Sequence, residues 1–322
     1  DGVKFTSETD TETVAHLINK YYKEEKDIKL AAFRAIDRIK GSYALAIICK
    51  DNPDILIGAR KNCPLVVGRG KGENFLASDI PAILQHTRSV YFLDDDEIAV
   101  LTSEKIEIYN KDKAIVKKEL FNVTWSMDAA EKDGYDHFML KEIHEQPRII
   151  QETVAHRLKE GEDIDLGKIG IDKETLKNIN RIYVVACGTA YHAGLIGKYL
   201  IERNVRIPVV ADVASEFRYK DPILDEHTLV MVVSQSGETA DTLQALRIAK
   251  KKGARVLAIV NAVGSSIARE ADDVFYIYAG PEIAVASTKA FTAQVIAMEL
   301  ICLKLMEITG KITTEEFCKV KE

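Results

Sequence analysis

Residues 228–242, T-L-V-M-V-V-S-Q-S-G-E-T-A-D-T, decide the fold of the second half of this chain. The first six residues form an apolar run rich in β-branched side chains, which is typical of a buried strand. A polar loop follows, and T-L-Q-A-L-R-I-A-K-K then predicts a helix that ends at Gly253. A strand, a short polar loop and a helix in this order indicate one unit of a parallel α/β sheet.

The strand–loop–helix pattern continues on both sides of this stretch. Further strands are predicted at R-I-Y-V-V-A-C (181–187), I-P-V-V-A-D (207–212), R-V-L-A-I-V (255–260) and V-F-Y-I-Y (274–278). Helices are predicted near 136–158, 172–179 and 192–203, in S-S-I-A-R-E (265–270) and over 287–309. Because short loops join these elements, residues 136–322 are predicted to form an α/β domain with a parallel sheet covered by helices on both faces.

Residues 1–126 show a different pattern. Two predicted helices, Thr11 to Lys23 and Lys29 to Ile39, precede short strands separated by polar turns, among them an N-P turn at residues 52–53 and a Gly-rich hairpin at residues 68–72. This pattern is typical of an α+β domain with antiparallel strands. Residues 127–135 are polar and lack an apolar period, so they are predicted to form a linker.

The composition excludes several classes of protein. The chain has 322 residues, a hydrophobic fraction of 47% and a net charge of −6, which indicates a globular protein without general attraction to nucleic acid or anionic membranes. No apolar run approaches the ~18 residues of a membrane span, and the first residues lack a signal-peptide core. Five cysteines without a C-x-x-C pair favour reduced thiols in the cytoplasm and no zinc site.

The ends of three predicted strands carry the candidate chemistry. C-G-T-A (Cys187–Ala190) follows the first strand, S-Q-S-G-E-T (Ser234–Thr239) follows the third, and V-A-S-T-K (Val285–Lys289) comes after the fifth. The carboxyl ends of parallel strands lie at one edge of a sheet, and each loop opens a helix whose first N–H groups are unpaired. We therefore expect the loops to converge on one anion, and phosphate is the common biological anion of that size.

Two other interpretations apply to these loops. A Ser or Thr before a helix often serves only as an N-cap, although S-Q-S-G-E-T holds more hydroxyls than one cap needs. Nucleotide binding is the second, with Asp212 at the end of the second strand as a ribose ligand. The first loop lacks the G-x-G-x-x-G pattern, and G-R-G-K-G-E (68–73) fits a hairpin better than a phosphate-binding loop, so nucleotide binding is disfavoured.

The second half resembles the sugar isomerase (SIS) domain family, through C-G-T-A-Y-H-A-G, A-S-E-F-R-Y, S-Q-S-G-E-T-A-D-T, G-S-S-I-A-R-E and V-A-S-T-K-A-F-T. The whole chain resembles the family of isomerizing glutamine–fructose-6-phosphate aminotransferases; in the first half the matching segments are S-E-T-D-T-E, G-E-N-F-L-A-S-D and H-F-M-L-K-E-I-H-E-Q-P. The resemblance implies that residues 1–126 are the C-terminal part of a type-2 glutaminase domain of the N-terminal-nucleophile (Ntn) class. Residues 136–322 would be a first SIS domain, a flavodoxin-like three-layer sandwich with a five-stranded parallel sheet.

The resemblance also implies an activity. Such an enzyme transfers ammonia from L-glutamine to fructose 6-phosphate and isomerises the product to glucosamine 6-phosphate, leaving glutamate, as the first step of hexosamine and UDP-GlcNAc synthesis. No metal or organic cofactor is expected, and the implied assembly is a cytoplasmic homodimer without nucleic-acid or membrane partners. The residues expected to bind the sugar phosphate are Cys187, Gly188, Thr189, Ser234, Gln235, Ser236, Thr239, Val285 and Ser287.

Two further positions matter to this resemblance. The first loop often ends in Ser in the family, and here that position is Ala190, so one hydroxyl contact is absent or supplied differently. Asp10 matches the acid that binds the α-amino group of glutamine. The segment T-D-T-E also fits a capping box with Thr9 as the cap and Glu12 three residues later; the resemblance favours the ligand role of Asp10.

No catalytic residue is assigned to this chain. An Ntn glutaminase needs Cys as its first residue, and position 1 here is Asp. In the family, the ring-opening His, the proton-moving Glu and the imine-forming Lys belong to the part that follows the first SIS domain. His192, His137 and His144 are not placed for that chemistry, and Lys289 is expected to be solvated. The chain alone is predicted to bind sugar phosphate weakly and to catalyse no reaction.

Alternative functions within the SIS family remain open at this point. One is another SIS enzyme, either a fructosamine-phosphate deglycase or a sugar-phosphate isomerase. Another is a SIS sensor that binds a phosphosugar and controls a partner. Such sensors usually carry a DNA-binding helix-turn-helix before the SIS domain, whereas the preceding region here is strand-rich and the chain is acidic, which disfavours this reading.

Overall fold

A computed structural model describes residues 2–123, 132–155, 157, 166, 169–313 and 316. The chain divides into two compact units, Asp1–Met127 and Asp128–Glu322. Most of the predicted linker, residues 127–131, lies outside the described residues, so the linker stays a prediction.

The first unit contains two four-stranded antiparallel sheets and two helices. The helices are α1 (Thr11–Glu25) and α2 (Ile28–Ile36). The strands are β1 (Tyr43–Cys49), β2 (Asn52–Lys61), β3 (Val66–Arg69), β4 (Asn74–Ala77), β5 (Ser89–Phe92), β6 (Ile98–Leu101), β7 (Ile106–Tyr109) and β8 (Phe121–Asn122). The sheet orders are β1-β2-β6-β7 and β4-β3-β5-β8, so the expected antiparallel strands are confirmed.

Alternating side chains form the layers of the first unit. Helices α1 and α2 pack on one face of the first sheet, on Ile57 and Ala59 of β2. The opposite face of that sheet meets the second sheet, where Val67 packs with Leu101. The neighbouring Val66 points to the far side of the second sheet and packs with Val90. Successive residues of a strand face opposite sides, so one strand serves two cores.

The predicted N-P turn is wrong. Asn52 already pairs with Cys49 of β1, Pro53 lies inside β2, and the turn consists of residues 50 and 51. The register of the β1–β2 ladder shifts between Ile48 and Cys49, and Pro53 falls in this irregular part. Proline has no N–H to contribute to a ladder, and it is tolerated here because the ladder is already irregular at this point.

The second unit is a doubly wound α/β domain. Its strands are β9 (Arg181–Ala186), β10 (Val209–Val213), β11 (Thr228–Ser234), β12 (Arg255–Val260) and β13 (Asp273–Tyr276). Its helices are α3 (Phe138–Ala155), α4 (Lys173–Asn178), α5 (Gly188–Asn204), α6 (Ala214–Tyr219), α7 (Ala240–Lys251), α8 (Ser266–Glu270) and α9 (Lys289–Ile308). Helix α6 is short and was not predicted; the other elements were.

The five strands are parallel in the order β10-β9-β11-β12-β13. Both faces are buried: Val184 and Met231 pack under α5 and α9, while Val185 and Val232 pack under α6, α7 and α8. The five-stranded sheet flanked by helices is therefore confirmed. This strand order places the chain reversal beside β9 and β11, where ligands of such sheets bind.

Within the described part of the chain, no helix combines the length and the apolar character needed to cross a bilayer.

Candidate functional site

A cavity of about 380 Å³ opens at the carboxyl edge of the parallel sheet. We call it the strand-end cavity. Thirteen described residues line it: Cys187, Gly188, Thr189, Ala190, Val233, Ser234, Gln235, Ser236, Thr239, Val285, Ala286, Ser287 and Gln294. All nine residues predicted to bind sugar phosphate are in this set. The structure thus brings the three loops together at one place, while the ligand itself remains a prediction.

The loop after β11 is held in shape by its own hydroxyls. Ser234 Oγ accepts a hydrogen bond from the Gly237 amide at 3.0 Å and lies 3.0 Å from Thr239 Oγ1. Gly237 has φ +63°, and a Cβ built there would lie 2.0 Å from Ser265 Oγ. Only glycine fits a backbone that is both left-handed and this close to a neighbour. The loop is therefore preorganised in the ligand-free protein.

The same loop presents hydrogen-bond donors to the cavity. Ser236 Oγ accepts from the Glu238 amide at 3.2 Å, so its proton remains available to a ligand. Glu238 is turned away: its carboxylate accepts from the Ser266 amide at 2.6 Å, at the start of α8. The only acid of S-Q-S-G-E-T therefore accepts a hydrogen bond from the start of a neighbouring helix and adds no negative charge to the cavity lining.

Two helices begin at the cavity without a side-chain cap. Within the fully described range 169–313, the N-cap residues Cys187 of α5 and Thr239 of α7 make no side-chain cap hydrogen bond. The capping interpretation of these loops is therefore wrong. The first N–H groups of such helices favour an anion, as does the positive end of the helix dipole.

The loop before α9 differs from the other two. The Glu282 carboxylate accepts from Ser287 Oγ at 2.9 Å, from the Thr288 amide at 2.9 Å and from the Ala290 amide at 3.1 Å. The expectation that this helix start offers free N–H groups to an anion is thus wrong, because a carboxylate of the chain already takes them. Since Ser287 gives its proton to Glu282, its oxygen faces the cavity as an acceptor.

Side chains of helix α3 bind this third loop and the start of α9. The buried Glu142 accepts from the Ile283 amide at 2.6 Å and the Ala284 amide at 3.1 Å. Lys289 forms an ion pair with Glu145 at 2.5 Å and is only 2% exposed. The expectation that Lys289 is solvated is wrong, because α3 packs against the start of α9 and covers it.

The first loop contributes a thiol, a glycine and a hydroxyl. Thr242 Oγ1 lies 3.9 Å from Cys187 Sγ, which ties this loop to α7. Gly188 starts α5 with φ +57°, and Thr189 is exposed at the cavity. Ala190 is 8% exposed, so a methyl group stands where the family often has a hydroxyl. Val285 of the third loop is fully exposed and lies at the cavity mouth.

The described lining of the strand-end cavity contains no Asp, Glu, Lys, Arg or His. A charged ligand would therefore be bound by neutral hydroxyls, backbone N–H groups and helix dipoles. Asp212, the ribose ligand of the nucleotide alternative, is outside this lining and forms an ion pair with Lys220. His192 is exposed and also outside it. Among the described residues there is no group of three potential metal ligands.

In the first unit, Asp10 is exposed at the start of α1. Within residues 2–123 its side chain makes no cap hydrogen bond. The predicted capping box does not form, because the Glu12 carboxylate accepts from the Thr6 amide at 2.8 Å and the Ser7 amide at 2.7 Å. Bonds from Ser7 and Thr6 lower the pKa of Glu12 to about 2. The Asp10 carboxylate is therefore not used for capping.

Four residues around the strand-end cavity were missed in the sequence: Glu142, Glu145, Glu282 and Gln294. The three acids act through contacts that are distant in sequence or outside the quoted loops. Gln294 had a local signal, since it is the one amide in the apolar run A-Q-V-I-A-M of the last helix.

Comparisons with known proteins agree with this geometry. Residues 175–304 match the family model of the SIS domain. The chain is 56% identical over 322 residues to glutamine–fructose-6-phosphate aminotransferase [isomerizing] of Clostridium tetani, and covers 53% of that protein. It is 55% identical over 320 residues to the protein of the same name from Caldanaerobacter subterraneus subsp. tengcongensis, and covers 52% of it.

A solved structure gives a further match. The C-terminal domain of glucosamine-fructose-6-phosphate aminotransferase from Francisella tularensis superposes with a TM-score of 0.56 at 42% identity. The match covers 59% of this chain and 54% of that chain. The chain spans about half the length of the curated relatives it matches.

Proposed function

We propose that this chain, whose residues 175–304 form a SIS domain, supplies the sugar-phosphate pocket of an isomerizing glutamine–fructose-6-phosphate aminotransferase. The complete enzyme would transfer glutamine-derived ammonia to fructose 6-phosphate and release glucosamine 6-phosphate and glutamate. The observation that carries the proposal is the convergence of three loops on one uncharged, hydroxyl-lined cavity at the carboxyl edge of the sheet.

The two ends of the strand-end cavity have opposite hydrogen-bonding character. At the α7 end, the Ser236 hydroxyl and the first N–H groups of an uncapped helix donate. At the α9 end, Ser287 accepts, because its proton goes to Glu282. A phosphate dianion has only acceptor oxygens, whereas a sugar hydroxyl can donate. We therefore orient the ligand with its phosphate at Ser234–Thr239 and its hydroxyls towards Ser287.

The absence of charged side chains from the described lining fits this ligand. Helix dipoles and several hydrogen bonds to one dianion act together in a partly enclosed site, where they are worth more than in water. Neutral donors also keep their protonation across physiological pH. Binding would then follow the ionisation of the phosphate, whose second pKa is about 6.

We infer that the antiparallel unit belongs to an Ntn-class glutaminase domain and that Asp10 binds the α-ammonium group of L-glutamine. The support is the match with relatives over the whole chain and the exposed carboxylate of Asp10, which caps no helix among residues 2–123. The proposal includes a cytoplasmic homodimer. It assigns no catalytic group to these 322 residues, so the chain alone would bind sugar phosphate weakly and turn over neither substrate.

The test is the activity of the full-length gene product. Incubated with L-glutamine and fructose 6-phosphate, it should form glucosamine 6-phosphate and glutamate in equal amounts. Deglycation of a fructosamine phosphate, or sugar-phosphate isomerisation that does not need glutamine, would instead support the other SIS enzymes. Phosphosugar binding without any turnover would support a sensor, and either result would contradict the proposal.

A further inference from the structure

Gln294 is the buried amide side chain in the described lining of the strand-end cavity. It lies in the second turn of α9 and is 1% exposed, yet it borders the cavity. Its neighbours one turn away, Ala290 and Met298, belong to the apolar core under the sheet. An amide therefore occupies a position where the surrounding side chains would suit a hydrocarbon.

The Gln294 carbonyl oxygen has no hydrogen-bond partner among the described residues. Buried polar atoms are nearly always paired, and leaving one unpaired destabilises the folded state. Three serine hydroxyls of the same lining differ, since Ser234, Ser236 and Ser287 each have a partner. An unpaired, buried acceptor at the edge of a cavity indicates a donor that comes from outside the protein.

We propose that Gln294 is a specificity-determining residue that accepts a hydrogen bond from a hydroxyl of the bound sugar, and does not contact its phosphate. This rests on the proposed function of the cavity. The unpaired atom is an acceptor, and a phosphate dianion offers no proton to it, whereas each sugar hydroxyl does. Gln294 and Ser287 both lie at the α9 side, so together they form the accepting end of the cavity.

The inference predicts opposite effects of one substitution on stability and on binding. In Gln294→Met, a side chain of similar length replaces the unpaired amide, so the ligand-free chain should become more stable, with Tm higher by about 2–4 °C. The affinity for fructose 6-phosphate should fall about tenfold, because one hydrogen bond to the sugar is lost. The affinity for inorganic phosphate should change less than about twofold, since the loop at Ser234–Thr239 is untouched.

The experiment titrates the 322-residue chain with fructose 6-phosphate and, separately, with inorganic phosphate, followed by NMR, and records thermal unfolding without ligand. Gln151→Met is the matched control, because Gln151 is exposed on α3 and outside the described lining. It should change neither affinity. Phosphate binding by Gln294→Met also shows that this variant is folded.

Three outcomes would overturn the inference. Equal fructose 6-phosphate affinity in wild type and Gln294→Met would show that the amide makes no contact with the sugar. A parallel loss of inorganic phosphate affinity would show that Gln294 serves the phosphate or the fold of the loop. Absence of fructose 6-phosphate binding by the wild type would overturn the proposed function itself, and the inference with it.

Discussion

One cavity of the first unit and the strand-end cavity of the second unit differ in where their polar groups come from. The cavity of the first unit, about 440 Å³, lies between α1 and β1 and is lined by one face of a helix and the edge of a strand. The strand-end cavity is smaller, about 380 Å³, and is lined by three loops. Another cavity of the second unit, about 550 Å³, is larger than both, so size alone does not select the strand-end cavity.

The two cavities also differ in the geometry of the segments that line them. In the strand-end cavity, uncapped helix starts and hydroxyls fixed by Gly237 point at one volume. In the α1–β1 cavity, the lining includes apolar side chains such as Val14, Ile18 and Leu45. A parallel sheet collects its loops at one edge, while an antiparallel sheet distributes its turns over both ends. The architecture thus decides which unit can build a multi-loop anion site.

The largest expected effect tests the backbone of the cavity loop. Gly237→Ala places a Cβ against the buried Ser265 in a left-handed backbone. We therefore expect the free energy of unfolding to fall by about 2–4 kcal/mol and fructose 6-phosphate binding to be lost. Gly72→Ala is the matched control in the first unit: φ is +71° but no atom lies within 4 Å of the new Cβ. It should cost only about 1 kcal/mol.

Urea unfolding of both variants provides the measurement. If Gly237→Ala proved no more destabilising than Gly72→Ala, the close approach of Gly237 to Ser265 would not be needed for the fold, and the preorganised loop would lose its main support.

A smaller effect is expected where α3 holds the third loop. Glu142→Leu removes the acceptor of the Ile283 and Ala284 amides, which should cost about 2 kcal/mol and weaken fructose 6-phosphate binding. Glu142→Gln keeps an acceptor oxygen and should restore most of the affinity. Glu152→Leu, on the same helix but in a surface pair with Arg148, should change stability by less than about 1 kcal/mol.

Calorimetric unfolding and ligand titration of these three variants distinguish a positioning role from a purely structural one. Loss of stability in Glu142→Leu with unchanged fructose 6-phosphate affinity would mean that the third loop keeps its place without α3.

The smallest effect lies in the first unit and depends on pH. Because the pKa of Glu12 falls from 4.5 to about 2 on folding, its carboxylate stabilises the protein above pH 4.5, and this contribution is lost as the pH falls towards 2. Glu12→Gln should therefore lower Tm slightly at pH 7, and its difference from wild type should shrink on acidification. Asp10→Asn should leave Tm unchanged, since Asp10 makes no cap bond within residues 2–123.

Thermal scans between pH 7 and pH 3 check this sign. A Tm difference between wild type and Glu12→Gln that grows as the pH falls would contradict the bonds assigned to Thr6 and Ser7.

The contrast between the units also explains which parts of the fold and of the candidate site could be predicted from the sequence. Strands such as Thr228–Ser234 are buried on both faces, so their apolar runs can be recognised in the sequence. The loops that follow such parallel strands must lie at one edge of the sheet. That is why the members of the strand-end cavity, from Cys187 to Ser287, could be named in advance. The argument needs only the chain order of strands and loops.

Features that depend on contacts between distant segments could not be predicted in this way. Glu142 meets the Ile283 amide across 141 positions, and nothing in either segment alone indicates the other. Glu12 fits a capping box by spacing, but Thr6 and Ser7 compete for its carboxylate. In the same way Glu282 occupies the N–H groups that the start of α9 would otherwise offer to a ligand.

The most direct measurement is a backbone-amide NMR titration of the chain with fructose 6-phosphate. The three loops should respond together, with the largest shifts at Gly188, Ser236 and Thr239 and smaller ones at Ser287, while the amides of the α1–β1 cavity stay in place. Shifts centred on the α1–β1 cavity, or confined to one of the three loops, would contradict a single sugar-phosphate site at the strand ends.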